Sequence, residues 1–313
     1  MTMSSSRRPF RLPSHLTPIY RTPYGRAYLD DSLEIMKASP DESVNLVLTS
    51  PPFALRRQKS YGNVGADEYT DWFRPFAKEI NRILTPDGSF VLDLGGSWTK
   101  GEPTRSLYHF ELLLDLCKYS GLFKLAQEFY WFNPAKMPVP AEWVTIRRIR
   151  VKDAVNTIWW LSKTANPKAS NRLILTKYKE DMKRLFVGGY NHGPRPSEHN
   201  VSLVWNRDNK GAIPPNIIIK ANTSSSDPYL RACRRWGYTP NPARFVEAVP
   251  DLFVRFLTKP GDLVLDPFAG SNMVGYVAEK LRRRWISIEI VKEYVKASRH
   301  RFASRSKRIV KLK

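Results

Sequence analysis

Apolar positions along this chain follow two alternating periods. Val44-Asn45-Leu46-Val47-Leu48 and the runs 26–29, 89–94, 125–132, 154–161, 262–265 and 285–290 are short, branched or aromatic stretches that predict strands. Between them, 33–36, 67–84, 107–120, 250–257, 271–281 and 293–302 repeat near 3.6 and predict helices. The longest of these gathers Trp72, Phe73, Phe76, Ile80, Ile83 and Leu84 on one face. Asp31 or Ser32 is placed to cap the first helix, and Gly121 to close the one ending at Ser120. Pro86-Asp87-Gly88 reads as a turn into the next strand. Strand and helix in alternation predict an α/β fold with a mainly parallel sheet covered on both faces.

The alternation breaks between residues 163 and 242, where Gly188-Gly189-Tyr190-Asn191-His192-Gly193-Pro194-Arg195-Pro196 and Lys210-Gly211-Ala212-Ile213-Pro214-Pro215 are polar and turn-rich. Only a helix near 173–186 is expected there. The chain thus divides into a flexible basic arm (1–20), a first half-domain (21–162), a small irregular module (163–242), a second half-domain (243–303) and a basic tail (304–313).

Charge narrows the function. With 51 Lys and Arg against 29 Asp and Glu, the formal charge is +22, which points to a polyanionic partner, nucleic acid before membrane. No run of about 18 apolar residues and no signal-like N-terminus is present, so a soluble cytoplasmic protein is expected. Cys117 and Cys233 are the only cysteines, and no cluster has zinc spacing. Nine tryptophans and 42% hydrophobic residues argue for a folded protein.

Two stretches carry candidate chemistry. Thr49-Ser50-Pro51-Pro52-Phe53 follows the strand at 44–48; two prolines remove two donors and stiffen the loop, leaving carbonyls free to accept. Such a loop suits an amine on a heteroaromatic ring, with Phe53 stacking on the ring, although a plain strand-end turn reads equally well. In the second stretch, Gly261-Asp262-Leu263-Val264-Leu265-Asp266-Pro267-Phe268-Ala269-Gly270-Ser271-Asn272 is strand, glycine turn and helix start, and the next strand ends in Glu289. A turn of that kind exposes backbone N–H groups at the carboxyl end of a strand, and an acid there can hold both hydroxyls of a ribose.

Together, Asp-Pro-Phe-Ala-Gly-Ser-Asn and Thr-Ser-Pro-Pro-Phe resemble the S-adenosylmethionine-dependent amino-DNA methyltransferases, and the loop preceding the turn resembles their permuted β group. Thr49 to Leu55, Tyr61-Gly62-Asn63, Phe129 to Pro134, Val151 to Thr157, Ile213 to Asn216 and Pro242 to Phe245 are similar to the PvuII-type cytosine-N4 members. The resemblance implies a Rossmann-like methyltransferase mixed sheet, with the irregular module serving target recognition. It implies S-adenosylmethionine as cofactor, with Asp266, Phe268, Gly270, Ser271 and Asn272 at its methionine end, Glu289 on its ribose, Asp31 at its adenine amine and Phe245 supporting the pocket. Many relatives carry a second glycine where this chain has Asn272, a residue that tolerates the left-handed region.

The implied reaction is methylation of the exocyclic N4 amine of a cytosine flipped out of double-stranded DNA. Ser50 Oγ and the Pro51 carbonyl would hold the amine, Pro52 would stiffen the loop and Phe53 would stack on the base. Arg56, Arg57 and Lys59 beside the loop, Trp160 (or Trp159) and, in the module, His192, Arg195, Arg207 and Lys210 are candidate DNA contacts. Neither cysteine follows a proline, which argues against attack on ring carbon 5. An adenine-N6 enzyme, for which the loop's first residue is usually acidic, and an inactive DNA-binding relative remain open. So do monomer or homodimer, and a paired restriction endonuclease of the same specificity.

Overall fold

The computed structural model describes residues 10–54, 64–189, 193–194, 196, 200–201 and 207–302. In chain order its elements are β1 (Tyr20–Arg21), β2 (Gly25–Leu29), α1 (Ser32–Lys37), β3 (Val44–Thr49), α2 (Tyr69–Ile83), β4 (Leu84–Leu94), α3 (Tyr108–Leu114), β5 (Lys124–Phe132), β6 (Val155–Ser162), α4 (Glu180–Gly188), β7 (Gly193–Pro194), β8 (Asn200–Val201), β9 (Ile217–Ile219), α5 (Pro228–Trp236), α6 (Ala248–Leu257), β10 (Leu263–Asp266), α7 (Met273–Lys280), β11 (Arg284–Glu289) and α8 (Lys292–Ser298). Nine strands form one mixed sheet in the order β1-β2-β11-β10-β3-β4-β6-β5-β9. β2, β11, β10, β3 and β4 run parallel, β6 is antiparallel to β4 and β5, and β9 is parallel to β5.

The central strands are buried on both faces because helices cover both. On one side Ile35 and Met36 of α1, Phe73, Ile80 and Ile83 of α2 and Leu112 of α3 pack with Phe90 and Leu92 of β4. On the other, α6 sets Phe253 against Phe129 at 4.9 Å and Phe256 against Trp160 at 5.0 Å. Trp159 and Trp160, adjacent on β6, therefore point to opposite faces, and each finds its own helix.

Several expectations need correction. Residues 10–20 are not a free arm: Phe10, Leu12 and Leu16 pack against the core, and Tyr20 is buried in β1. Pro86-Asp87-Gly88, expected as a turn leading into the strand at 89–94, lies within that strand. It forms a bulge inside β4, where Val44 pairs with Leu84 and Leu46 next with Ser89. The irregular module is narrower than 163–242, since the compact unit spans residues 170–215. Ile217–Ile219 joins the main sheet through β5, and Tyr229 and Cys233 of α5 pack on Ala297 of α8. Within the unit 170–215, α4 is accompanied by the small β7–β8 pair and a Thr176–Ala212 bridge. The tail 304–313 lies outside the described residues. No described helix is long and apolar enough to cross a membrane.

Candidate active site

Parallel register brings the carboxyl ends of β2, β11, β10, β3 and β4 to one edge of the sheet: Leu29 pairs with Glu289, Asp266 with Ser287, and Thr49 with Leu92. β10 connects onward to β11 on one side and borders β3 on the other, so a crevice opens at this switch of direction. It is a cavity of about 720 Å³. Ser50, Pro51, Pro52 and Phe53 line one wall, while Phe245, Phe268, Gly270, Ser271 and Glu289 line the other.

The loop after β3 is held from beneath. Tyr69 Oη donates to the Pro52 carbonyl at 2.8 Å, and Tyr108 Oη donates to Gly95 O while accepting from the Ala54 N–H. A side chain at Gly95 would put its Cβ 2.6 Å from Phe53 Cε2 and 3.4 Å from Asn156 Oδ1. Glycine there therefore lets the Phe53 ring and the Asn156 amide share one corner. Asp93, buried near the end of β4, accepts from the Ser50 hydroxyl and, at 3.2 Å, from Asn156 Nδ2. Burial pushes the Asp93 carboxyl up to about 7, against the lowering effects of Asn156, Ser50 and the Lys136 ammonium.

Across the cavity, Gly270 takes φ +50 and its N–H donates to Glu289 Oε2 at 2.7 Å. Glu289 Oε1 accepts from the Val291 N–H at 2.8 Å, and burial raises this carboxyl. The Ile290 N–H donates to the same carboxylate, and of its four acceptor positions one is left for a ligand. A Cβ at Gly270 would fall 2.1 Å from Asn241 Nδ2, so a larger residue there would displace that amide and strain a left-handed backbone. Ser271 is held by the buried Arg301, whose Nε and Nη2 donate to its carbonyl and hydroxyl while Nη1 pairs with Asp227 at 2.7 Å. Phe268 rests on Trp72 and Phe76. Asp31 lines the far end and caps α1 through Oδ1, which accepts from the Leu33 N–H at 2.8 Å.

Three expected contacts are placed elsewhere. Asp266 lies behind the wall: Thr49 Oγ1 donates to its Oδ1 at 2.7 Å and the Phe268 N–H at 3.1 Å, and burial raises it to about 7. Asn272 does take the left-handed conformation, φ +55, but its side chain turns inward. Its Oδ1 accepts from Ser287 Oγ and the Gly275 N–H, and Nδ2 donates to Tyr20 Oη at 2.7 Å. Trp160 is core, donating to Ser89 Oγ at 2.9 Å; the tryptophans that line the cavity are Trp72 of α2 and Trp131 of β5. Arg207 and Lys210 are exposed in the unit 170–215. Arg56, Arg57, Lys59, His192 and Arg195 lie outside the described residues. Residues that pattern reading missed are Asp93, Trp131, Asn133, Lys136, Asn156, Asn222 and Asn241. Trp131, Asn133 and Asn156 fall within the resembling segments 129–134 and 151–157, where the resemblance assigns them no role, and Asp93 shows only as a polar position inside an apolar strand.

Comparison with known proteins agrees with this geometry. Residues 44–300 match the family described as DNA methylase. The type II methyltransferase M.PvuII of Proteus hauseri is 50% identical over 288 residues, 91% of this chain and 85% of that protein. The DNA adenine methyltransferase YhdJ of Escherichia coli is 27% identical, over 85% of this chain and 78% of its own. A solved structure, PvuII DNA methyltransferase (cytosine-N4-specific), superposes with a TM-score of 0.74 at 46% identity, covering 91% of this chain and 88% of that one. Since the match runs from the start of β3 to the turn beyond α8 and takes in both walls of the cavity, the chain belongs to the DNA methylase family.

Proposed function

We propose that this chain transfers a methyl group from S-adenosylmethionine to the exocyclic N4 amine of a cytosine flipped out of double-stranded DNA. The observation that carries this reading is the single cavity in which the Ser50-Pro51-Pro52-Phe53 loop faces the Gly270 turn and Glu289. The identity to a relative whose solved counterpart is named cytosine-N4-specific supports the choice of atom.

The residues present fit the cofactor. Glu289 lines the cavity with a remaining acceptor position for a ribose hydroxyl, Gly270 leaves room for close approach, and Asp31 Oδ2, without a partner among the described residues, is at the far end for the adenine amine. S-adenosylmethionine supplies an electrophilic methyl carbon on a sulfonium. A cytosine amine is a weak nucleophile because its lone pair is shared with the ring. Ser50 Oγ, the Pro51 carbonyl and Asn156 Oδ1 accept from its two N–H groups and hold the lone pair out of conjugation, while Phe53 fixes the base plane. As the N–C bond forms and the C–S bond breaks, N4 must lose one proton. The Ser50 hydroxyl, already donating to Asp93, passes its proton there and takes the one from N4. A carboxyl near 7 is matched to that work at neutral pH.

Duplex DNA would be held by the excess positive charge. The exposed Arg147, Arg148, Arg150 and Lys152, on the segment joining β5 to β6, supply part of it. Sequence reading is assigned to the module around the unit 170–215, which carries Arg207 and Lys210. We further propose a cytoplasmic enzyme, monomer or homodimer, paired with a restriction endonuclease of the same specificity. The test is to incubate the protein with tritiated S-adenosylmethionine and plasmid DNA, digest to nucleosides and separate them. N4-methylcytosine is expected. Label in N6-methyladenine would overturn the choice of base, and label in 5-methylcytosine the mechanism as well.

A further inference from the structure

We infer that Asn133 is the residue that selects cytosine, by donating from its amide nitrogen to the N3 and O2 edge of the flipped base; this rests on the cytosine reading above. Asn133 follows β5 directly and lines the cavity. Its N–H donates to Ala154 O at 2.8 Å, just beyond the cross-strand pair of Trp131 with Asn156, so it sits on the same hairpin end as the amide that touches Asp93.

The orientation of the side chain follows from its partners. Asn133 Oδ1 accepts from the Ala135 N–H at 3.1 Å and from the Asn222 N–H at 3.4 Å. With the oxygen committed to two backbone donors, the nitrogen is the opposite end of the amide, and it has no partner among the described residues. The two backbone donors thus fix which end of the amide faces the cavity. Asn222 Nδ2 in turn donates to Arg244 O at 2.9 Å, which ties this turn to the segment carrying Phe245.

The cavity therefore offers acceptors at Ser50, Asp93 and Asn156 and an unused double donor at Asn133. Cytosine presents the complement, an amine donor followed by two acceptors, N3 and O2. Adenine presents an amine and N1, and then a C–H, so one N–H of Asn133 would stay unpaired. A site whose polar groups are left unpaired by the wrong substrate discriminates strongly.

The test uses the full-length protein, S-adenosylmethionine and duplexes bearing, at the site the wild type labels, either cytosine or 3-deazacytosine, which lacks the N3 acceptor. Asn133→Asp keeps the oxygen that holds Ala135 and Asn222 while replacing the donor with an acceptor. We expect it to lower kcat/KM on cytosine about 100-fold, with cofactor Kd and Tm unchanged. Asn133→Ser, which also keeps an oxygen, should behave alike. 3-Deazacytosine should slow the wild type and slow Asn133→Asp no further. Activity of either variant within about threefold of wild type, or losses that multiply, would overturn the inference. Label on adenine by the wild type would overturn the cytosine reading and this inference with it. N4-methylcytosine made by Asn133→Asp at the wild-type rate would overturn this inference alone.

Discussion

Thr49 Oγ1 donates a 2.7 Å hydrogen bond to Asp266 Oδ1, joining the last residue of β3 to the last residue of β10. One strand feeds the Ser-Pro-Pro-Phe loop and the other the glycine turn, so this contact sets the spacing between the two cavity walls. Both groups are buried, and a buried carboxyl that loses a donor is costly. Thr49→Val, similar in shape, should destabilise the fold by about 1–3 kcal/mol and lower kcat as the walls lose register. Urea unfolding checks the first and single-turnover kinetics the second. Unchanged values in both would show that packing alone positions the strands.

Glu289 has two duties: its oxygens brace the Gly270 and Val291 N–H groups and also face the cavity. Glu289→Ala frees the Gly270, Val291 and Ile290 N–H groups, whereas Glu289→Gln keeps one acceptor and sets an amide donor against one of them, so the two variants perturb the site differently. Cofactor affinity should fall by roughly 1.5–3 kcal/mol, the scale of hydrogen bonds to a charged group. Calorimetry that finds the wild-type Kd in both variants would remove Glu289 from the cofactor's ribose.

Asp93 gives the enzyme a pH signature. Burial raises its folded value to about 7, so the folded chain keeps a proton that the unfolded chain, with an ordinary carboxylate near 4, has released. Its contribution to stability is greatest below about 4, declines as pH rises, and is least above about 7. Asp93→Asn should therefore gain stability relative to wild type as pH is raised through that window, read as the difference between their melting curves. Activity runs the opposite way: proton acceptance needs the ionised form, so wild-type kcat should rise with pH through about 7. The variant should lose that limb. A wild-type profile flat from 5 to 9 would exclude Asp93 as the acceptor.

The parts of this molecule that were legible in its sequence are those set by local chemistry. Branched runs gave the strands, the 3.6 repeat gave α2, and Pro51-Pro52 and Gly270 each announced a special backbone, stiff in one case and left-handed in the other. The parts that were not legible depend on pairing. Asp93 reads as one polar position in an apolar strand until β4 lies against β3 and Ser50 meets it. Asn133 and Asn156 become neighbours through the β5–β6 register, and Asn272 is claimed by Tyr20 and Ser287 from distant strands. Pro86-Asp87-Gly88 has the composition of a turn, yet its flanks both pair with β3 and hold it as a bulge. Trp160 followed the alternation rule, but with helices on both faces neither tryptophan of the pair was left for the cavity.

The same limit on local reading decides how the recognition module can be tested. Polar composition marks 163–242 as the recognition module, but the described contacts assign much of it to the main unit. Ile217–Ile219 pairs with β5, Trp131 Nε1 donates to Lys220 O at 2.9 Å, Lys168 pairs with the buried Asp262, and Asp227 holds Arg301 under Ser271. Deleting 163–242 should therefore strip an edge strand and the support of the cofactor turn, giving a chain that fails to melt cooperatively and binds no S-adenosylmethionine. Deleting only 170–215, with a glycine-serine linker across the gap, leaves those contacts in place. That shorter deletion should keep a cooperative melt and cofactor Kd near the wild-type value, while competition among duplexes of different sequence should show no preference. Retention of wild-type sequence preference would move base reading to the main unit, where the segment joining β5 to β6 carries Arg147, Arg148 and Arg150.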